Sequence, residues 1–251
     1  MLAVISPAKT LDYQSDIPAV AATQPAFRPD AERIAKSAAR LSKKKLGELM
    51  HISDKLAELN VERFRTFEDQ PERPAIYAFA GDVYAGFEVQ SLDEAAVTFA
   101  QDHLRILSGL YGLLRPLDAI RPYRLEMGTR WAPAGGNLYG YWGTRVADAL
   151  ASALEESGGG PIINVASKEY WAVVHDRLPK DTPVIEIDFR EEGPNGLRFN
   201  TFAAKRARGM VARYICEHRL TDAEALKGFD SDGYAFDPDG SDETRWRFTR
   251  R

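Results

Sequence analysis

The chain has 251 residues, of which 44% are hydrophobic and 28% charged, and it contains no low-complexity run. This composition excludes a mostly disordered chain, and the length suits one large domain. No segment approaches the length of a membrane span, and the apolar N-terminus is too short and lacks the basic residues of a signal peptide. A single cysteine, Cys216, excludes an internal disulfide framework, so we expect a cytoplasmic protein.

The apolar patterns predict, in chain order, a buried strand at 2–6, helices within 29–60, a strand at 75–80, a helix at 92–104, a short strand at 105–107, a helix at 141–156, a strand at 162–165, a strand pair at 184–190 and 197–202, a helix at 203–219, and a terminal hairpin of 233–236 with 246–248. This alternation predicts a mixed α/β fold. We expect a single globular domain over residues 1–251, with a central sheet and flanking helices.

The net charge of −4 hides an uneven distribution along the chain. Residues 221–244 carry eight acidic residues against one basic residue, so the rest of the chain is net positive. Three segments are basic: residues 40–55, 104–131 and 203–219. Such patches attract anions whatever the total charge.

Residues 46–59 have the layout of a helix-hairpin-helix, within an element at about 42–64. In this motif a short hairpin presents backbone N–H groups and a helix N-terminus to a phosphate. The residues that would form the buried hairpin position, the helix cap, the phosphate-facing cation and the close helix contact are Ile52, Ser53, Lys55 and Ala57. His51 stands where glycine is usual, and non-glycine residues resist a positive φ. A plain αα-hairpin with solvated lysines is the alternative.

Residues 109–128 mix arginines and carboxylates within predicted loops, where functional residues concentrate. The planar guanidinium group suits phosphate or carboxylate, so Arg115 and Arg124 are candidates for anion binding. Asp118 and Glu126 could instead be their ion-pair partners. The sequence leaves both interpretations open.

Polar residues also follow two predicted strands. Lys9 and Asp12 lie in the loop after the strand at 2–6, and Ser167 and Glu169 follow the strand at 162–165. Ligands in α/β sheets often bind at the carboxyl ends of strands. The alternative for Ser167 is a cap of the next helix, and both roles are compatible.

The predicted helix at 203–219 has three basic residues in its first turns, Lys205, Arg206 and Arg208. The helix macrodipole disfavours cations in a first turn, so we expect an anion nearby. Gly209 is costly inside a helix and suggests the close approach of another backbone or a ligand. A solvated basic face is the alternative.

Several enzyme signatures are absent from the sequence: a Walker loop, a GxGxxG fingerprint, an HExxH motif and paired CxxC motifs. The four histidines are scattered, so we expect neither a metal nor a cofactor. The acidic run at 230–240 lacks the later ligands of a calcium loop. We expect Cys216 to be a packed small hydrophobe, although nearby Arg213 and Arg219 could lower its pKa and make it reactive.

Seven dispersed motifs occur in one order along nearly the whole chain: 5–12 (ISPAKTLD), 52–57 (ISDKLA), 81–84 (GDVY), 107–112 (LSGLYG), 114–118 (LRPLD), 123–128 (YRLEMG) and 204–209 (AKRARG). With these motifs the sequence resembles the YaaA peroxide-stress-resistance family. The resemblance implies a cytosolic bacterial protein that limits free intracellular iron during hydrogen peroxide stress. It also implies DNA binding, an unusual α/β fold, a positively charged cleft and a helix-hairpin-helix, for which only Ile52, Ser53 and Lys55 are matched here.

The first hypothesis is therefore a DNA-binding protein of the peroxide stress response that grips double-stranded or distorted DNA through phosphates, without sequence specificity and without a membrane. Its expected contacts are Ile52, Ser53, Lys55, Lys9, Lys205, Arg206 and Arg208. The alternative is an enzyme acting on a nucleotide or nucleobase in a polar pocket, formed with Lys9 and Lys205 by Asp12, Arg115, Arg124, Glu126, Ser167 and Glu169. Direct iron sequestration by carboxylates is a third hypothesis, for which the sequence shows no compact ligand set.

Overall fold

The computed structural model describes residues 1–194 and 196–251. Along them the strands are β1 Leu2–Ile5, β2 Thr10–Leu11, β3 Arg73–Pro74, β4 Phe79–Ala80, β5 Leu104–Ser108, β6 Gly112–Leu114, β7 Ala119–Ile120, β8 Ile162–Asn164, β9 Val184–Gly193, β10 Gly196–Arg198, β11 Tyr234–Asp237 and β12 Arg245–Arg250. The helices are α1 Arg28–Ala38, α2 Lys43–Met50, α3 Asp54–Arg65, α4 Ala75–Ala78, α5 Asp82–Phe87, α6 Glu94–His103, α7 Leu138–Trp142, α8 Arg145–Glu156, α9 Lys168–Trp171 and α10 Thr201–Glu217.

The central sheet has the order β11-β12-β9-β8-β1-β5-β6, and β10 pairs with β9. The five strands from β12 to β5 are parallel, whereas β6, β10 and β11 are antiparallel to their neighbours. Ala3 of β1 pairs with Leu104 on one side and with Ile163 on the other. Every residue of β1 is fully buried, as expected for the centre of a parallel sheet covered by helices.

The order in which the chain adds strands to this sheet reverses between the neighbouring parallel strands β1 and β8. From β1 the chain continues through α1–α6 to β5, on one side of β1, whereas from β8 it continues to β9, on the opposite side. The connections that leave the carboxyl ends of β1 and β8 therefore diverge. In open α/β sheets such a switch point forms the crevice in which ligands bind.

Helix α10 packs directly on the backbone of α5. A Cβ atom added to Gly209 would lie 1.8 Å from the carbonyl oxygen of Val83, and one added to Gly86 would lie 2.1 Å from the carbonyl oxygen of Arg206. The two glycines therefore let the two backbones touch, as the sequence predicted for Gly209. Helix α10 also contacts β1 and β9, which fixes it against the sheet.

The mixed α/β fold with a central sheet and flanking helices is confirmed, and so is the terminal hairpin, formed by β11 and β12. The strand expected at 75–80 was wrong, because Ala75–Ala78 forms a helical turn and only Phe79–Ala80 is extended. All four residues of this turn are buried. A short, wholly apolar segment has no periodicity that separates a buried helix from a buried strand.

Two helix boundaries also differ from the expectation. Gly143, with φ 53° and ψ −130°, divides the helix expected at 141–156 into α7 and α8. Helix α10 begins at Thr201, where a strand was expected, because the side chain of Asn200 accepts hydrogen bonds from the N–H groups of Phe202 and Ala203. None of the helices in the described residues has both the length and the apolarity that crossing a membrane requires.

The contact between α5 and α10 can be tested with Gly209→Ala. The added methyl group would overlap the carbonyl oxygen of Val83, so we expect the free energy of unfolding to fall by about 1–3 kcal/mol. The measurement is urea denaturation followed by circular dichroism. The matched control is Gly140→Ala in α7, where the added Cβ would lie 3.6 Å from Asn137 Oδ1. Because Gly140 is exposed and helical, its replacement should be neutral or stabilise by up to about 1 kcal/mol. Equal effects of the two substitutions would contradict the close contact.

Candidate functional site

Two serines meet at the switch point between β1 and β8. The backbone N–H of Ser167 donates to Ser6 Oγ at 2.8 Å, and Ser6 Oγ donates to Ser167 Oγ at 3.3 Å. Tyr84 Oη donates to the carbonyl oxygen of Ser6 at 3.1 Å. Ser167 immediately precedes α9, but its side chain makes no capping hydrogen bond to that helix. We therefore assign the side chain to the crevice and not to the helix cap.

A cavity of about 480 Å³ opens beside these serines. Its lining includes Ser6, Lys9, Ser167, Glu169, Lys205 and Arg208. Loops after β1 and β8 thus contribute one side, and α10 contributes two cations. This arrangement joins residues that are nearly 200 positions apart in the chain.

A second cavity, of about 680 Å³, adjoins the first. Its lining includes Lys9, His51, Arg124, Glu126, Arg130 and Glu169. Lys9 and Glu169 line both cavities. The two cavities are therefore neighbours, and we call them together the polar cleft.

Glu126 holds two cations of the polar cleft with one oxygen. Its Oε1 lies 3.3 Å from Lys9 Nζ and 3.1 Å from Arg124 Nη2. Its Oε2 is buried and has no hydrogen-bond partner among the described residues. The predicted ion pair of Arg124 with Glu126 is confirmed, and the second oxygen remains able to accept a hydrogen bond.

Arg208 reaches the polar cleft from α10 and also lines an adjacent cavity of about 390 Å³ that contains Asp188. Its Nε is buried without a hydrogen-bond partner in the described parts of the chain. Burial lowers the pKa of Arg208, and the negative charge of Asp188 opposes this shift. Arg208 is thus a half-buried cation whose Nε–H has no acceptor among the described residues.

Helices α2 and α3 form a two-helix hairpin joined by three residues. Ser42 and Ser53 cap the two helices by accepting hydrogen bonds from the N–H groups of Lys45 and Leu56, as the sequence predicted. His51 ends α2 in the left-handed conformation, with φ 51°, although it carries a side chain. Because His51 also lines the polar cleft, this hairpin forms one wall of the cleft.

The other expected hairpin contacts have distinct environments. Ile52 is half-buried and Lys55 is exposed. Ala57 is buried, and a Cβ atom added to Gly47 would lie 3.5 Å from its Cβ, which agrees with a close contact between the helices. Arg206 is exposed on α10.

Two residues expected in the polar pocket lie apart from the polar cleft. Asp12 Oδ1 accepts hydrogen bonds from the N–H groups of Gln14 and Ser15, and the Ser15 side chain, followed by these two N–H groups, lowers the pKa of Asp12 to about 2. Arg115 Nη2 pairs with Asp102 of α6 at 3.1 Å. Asp12 therefore stabilises a local turn, Arg115 joins the end of β6 to α6, and neither residue lines the polar cleft.

The dipole argument for the basic residues of α10 is also corrected. Because the helix begins at Thr201, Lys205 lies beyond its first turn, where the macrodipole has little effect. What distinguishes these cations is their placement, since α10 brings Lys205 and Arg208 to the polar cleft.

Cys216 is completely buried, and burial raises the pKa of its thiol well above the usual range. Arg213, which in the alternative interpretation would lower this pKa, instead donates to the carbonyl oxygens of Phe87 and Glu88 and pairs with Glu217. The cysteine is therefore a packed side chain.

Ser6 and Arg130 were missed as site residues. Ser6 had a usable signal, because it is the first residue after a buried strand. Arg130 had none, since its loop position becomes meaningful only when the cleft is formed. Within residues 1–194 and 196–251, no group of three or more His, Cys, Asp and Glu residues could hold a metal ion.

Comparisons with known proteins agree with the resemblance found in the sequence. A family model described as peroxide stress protein YaaA matches residues 1–240. A UPF0246 protein of Rhizorhabdus wittichii is 61% identical over 251 residues, covering 100% of this chain and 99% of the relative. UPF0246 proteins of Caulobacter vibrioides and Alteromonas mediterranea are 47% and 48% identical over 253 and 255 residues, covering 100% of this chain and 99% and 98% of the relatives. The chain therefore belongs to the peroxide stress protein YaaA family.

Proposed function

We propose that this member of a peroxide stress family binds DNA through its phosphates. The observation that carries the proposal is that the hairpin of α2 and α3 forms a wall of an open cleft whose other walls supply cations. Lys9, Arg124 and Arg130 line the same cavity as His51. A backbone phosphate placed at the hairpin would thus meet positive charge from two sides.

Exposed lysines extend this positive surface beyond the cleft. Lys44, Lys45 and Lys55 are exposed on the hairpin, whereas Lys43 is held by Glu58 at 3.4 Å. Lysines bind phosphate as point charges, and contacts to phosphate carry no sequence information. The proposed binding is accordingly independent of sequence and tolerant of distorted DNA.

Glu126 and Glu169 set the strength of the proposed binding. They lie among the cleft cations and oppose the approach of phosphate, so the cleft is a site of moderate affinity. Weak, sequence-independent contact suits a protein that covers DNA under stress. We propose that this covering, together with a lower level of free iron, protects DNA from peroxide damage in the cell.

Salt dependence tests the proposed phosphate contacts. We expect weak duplex binding whose log affinity falls linearly with log salt concentration, with a slope of about −0.9 for each phosphate neutralised. Fluorescence anisotropy with labelled duplexes of unrelated sequence measures both the slope and the preference. A flat salt response, or an absence of binding at low salt, would contradict the proposal.

The hairpin itself is tested with Lys55→Glu. Reversing an exposed charge beside the hairpin should weaken binding to every duplex and reduce the salt slope by about one unit. The matched control is Lys180→Glu, an exposed lysine shortly before β9 and therefore near the amino ends of the parallel strands, whereas the crevice lies at carboxyl ends. We expect both variants to keep the wild-type circular dichroism spectrum. If Lys55→Glu binds like Lys180→Glu, the DNA surface does not include the hairpin.

A further inference from the structure

Arg208 is a charged side chain without a local reason for its position. It forms no ion pair within 4.0 Å among the described residues, and its Nε is buried without a hydrogen-bond partner there. The rest of the side chain is partly exposed and lines two cavities. A buried N–H donor without an acceptor is unfavourable, and an anion in the adjoining cavity would supply an acceptor.

The surroundings of Arg208 suit an anion. Lys205, one turn earlier on α10, lines the same cavity and has no carboxylate partner among the described residues. The hydroxyl oxygens of Ser6 and Ser167 lie 3.3 Å apart, and Ser6 Oγ accepts from the N–H of Ser167. Ser167 lines the cavity, so its hydroxyl can donate to a bound anion when the Ser6 hydroxyl donates to it.

Two carboxylates also line this cavity. Glu169 directs Oε1 to the N–H of Gly128 at 3.0 Å, and Asp82 is exposed in the first turn of α5. One is therefore already hydrogen-bonded and the other is solvated. Against them stand Lys9, Lys205 and Arg208, so the cavity remains net positive.

We propose that the crevice between the carboxyl ends of β1 and β8 binds a small phosphomonoester, with the phosphate held by Arg208, Lys205 and the hydroxyl of Ser167. The planar fork of arginine and a hydroxyl donor match the several oxygens of a phosphate dianion. The cavity of about 480 Å³ lies within the range of small-molecule sites. This site is distinct from the proposed duplex contact at the hairpin, although Lys9 and Glu169 line both cavities.

The direct test is calorimetry of the full chain with inorganic phosphate, adenosine 5′-monophosphate and succinate at constant ionic strength. We expect the two phosphate-bearing probes to bind and the dicarboxylate succinate to bind at least about tenfold more weakly. Arg208→Met should weaken phosphate binding about tenfold or more, and Ser167→Ala by roughly fivefold. Lys180→Met, which removes a charge near the amino ends of the parallel strands, should bind like the wild type.

Thermal unfolding separates a binding role of Arg208 from a structural one. Since Arg208→Met removes an uncompensated charge, its ligand-free Tm should equal or exceed that of the wild type. Adenosine 5′-monophosphate should raise the Tm of the wild type but not that of Arg208→Met. Lys55→Glu should keep the full response to this probe, because its charge lies outside the crevice.

Three results would overturn the proposal: neither phosphate-bearing probe binds to the wild type, succinate binds as tightly as both probes, or Lys180→Met loses as much affinity as Arg208→Met. If Arg208→Met fails to fold, Arg208 is structural, and Ser167→Ala then decides whether the crevice binds phosphate. Unchanged phosphate binding in folded Ser167→Ala would in that case end the proposal. Loss of duplex binding in Lys55→Glu with intact phosphate binding would leave it standing.

Discussion

The parallel pairing of β1 with β5 on one side and β8 on the other is the constraint on which the rest of the structure depends. It buries β1 completely and makes the chain leave the carboxyl ends of β1 and β8 in opposite directions. The crevice between these ends is thus a consequence of topology. Ser6 and Ser167 lie there because each follows its strand closely, and their hydrogen bonds join the two strand ends.

A second close contact brings basic side chains to this crevice. Because Gly86 and Gly209 have no side chains, the backbones of α5 and α10 touch, and the position of α10 along the sheet is fixed. Lys205 and Arg208 then line the cavity on the side facing the serines. The glycine that looks unfavourable within a helix is therefore what places the cations of the site.

The cations of the polar cleft differ in how far they are compensated. At the hairpin end, Glu126 pairs with both Lys9 and Arg124, which leaves this group net positive, while at the crevice end Arg208 has no ion-pair partner among the described residues. The open end of the cleft beside the helical hairpin suits the extended backbone of a nucleic acid, whereas the narrower crevice suits a small anion. The two proposed ligands thus use different ends of the polar cleft, and Lys9 and Glu169, which line both cavities, are where they would influence each other.

The sequence by itself determined the features that depend on neighbouring residues: most strands and helices, the caps Ser42 and Ser53, and the glycine contact at Gly209. Each follows from local periodicity, hydrogen bonding or backbone sterics, so a single stretch of chain contains the information. Only the tertiary structure decided that 75–78 is a helical turn, since the segment is wholly apolar. It alone separated Asp12 and Arg115 from the cleft and added Arg130, because loop residues of the same type can fold toward or away from a site. The tertiary structure also decided that Arg208 Nε is buried without a hydrogen-bond partner among the described residues. Desolvation depends on what packs around a side chain and not on its position in the sequence.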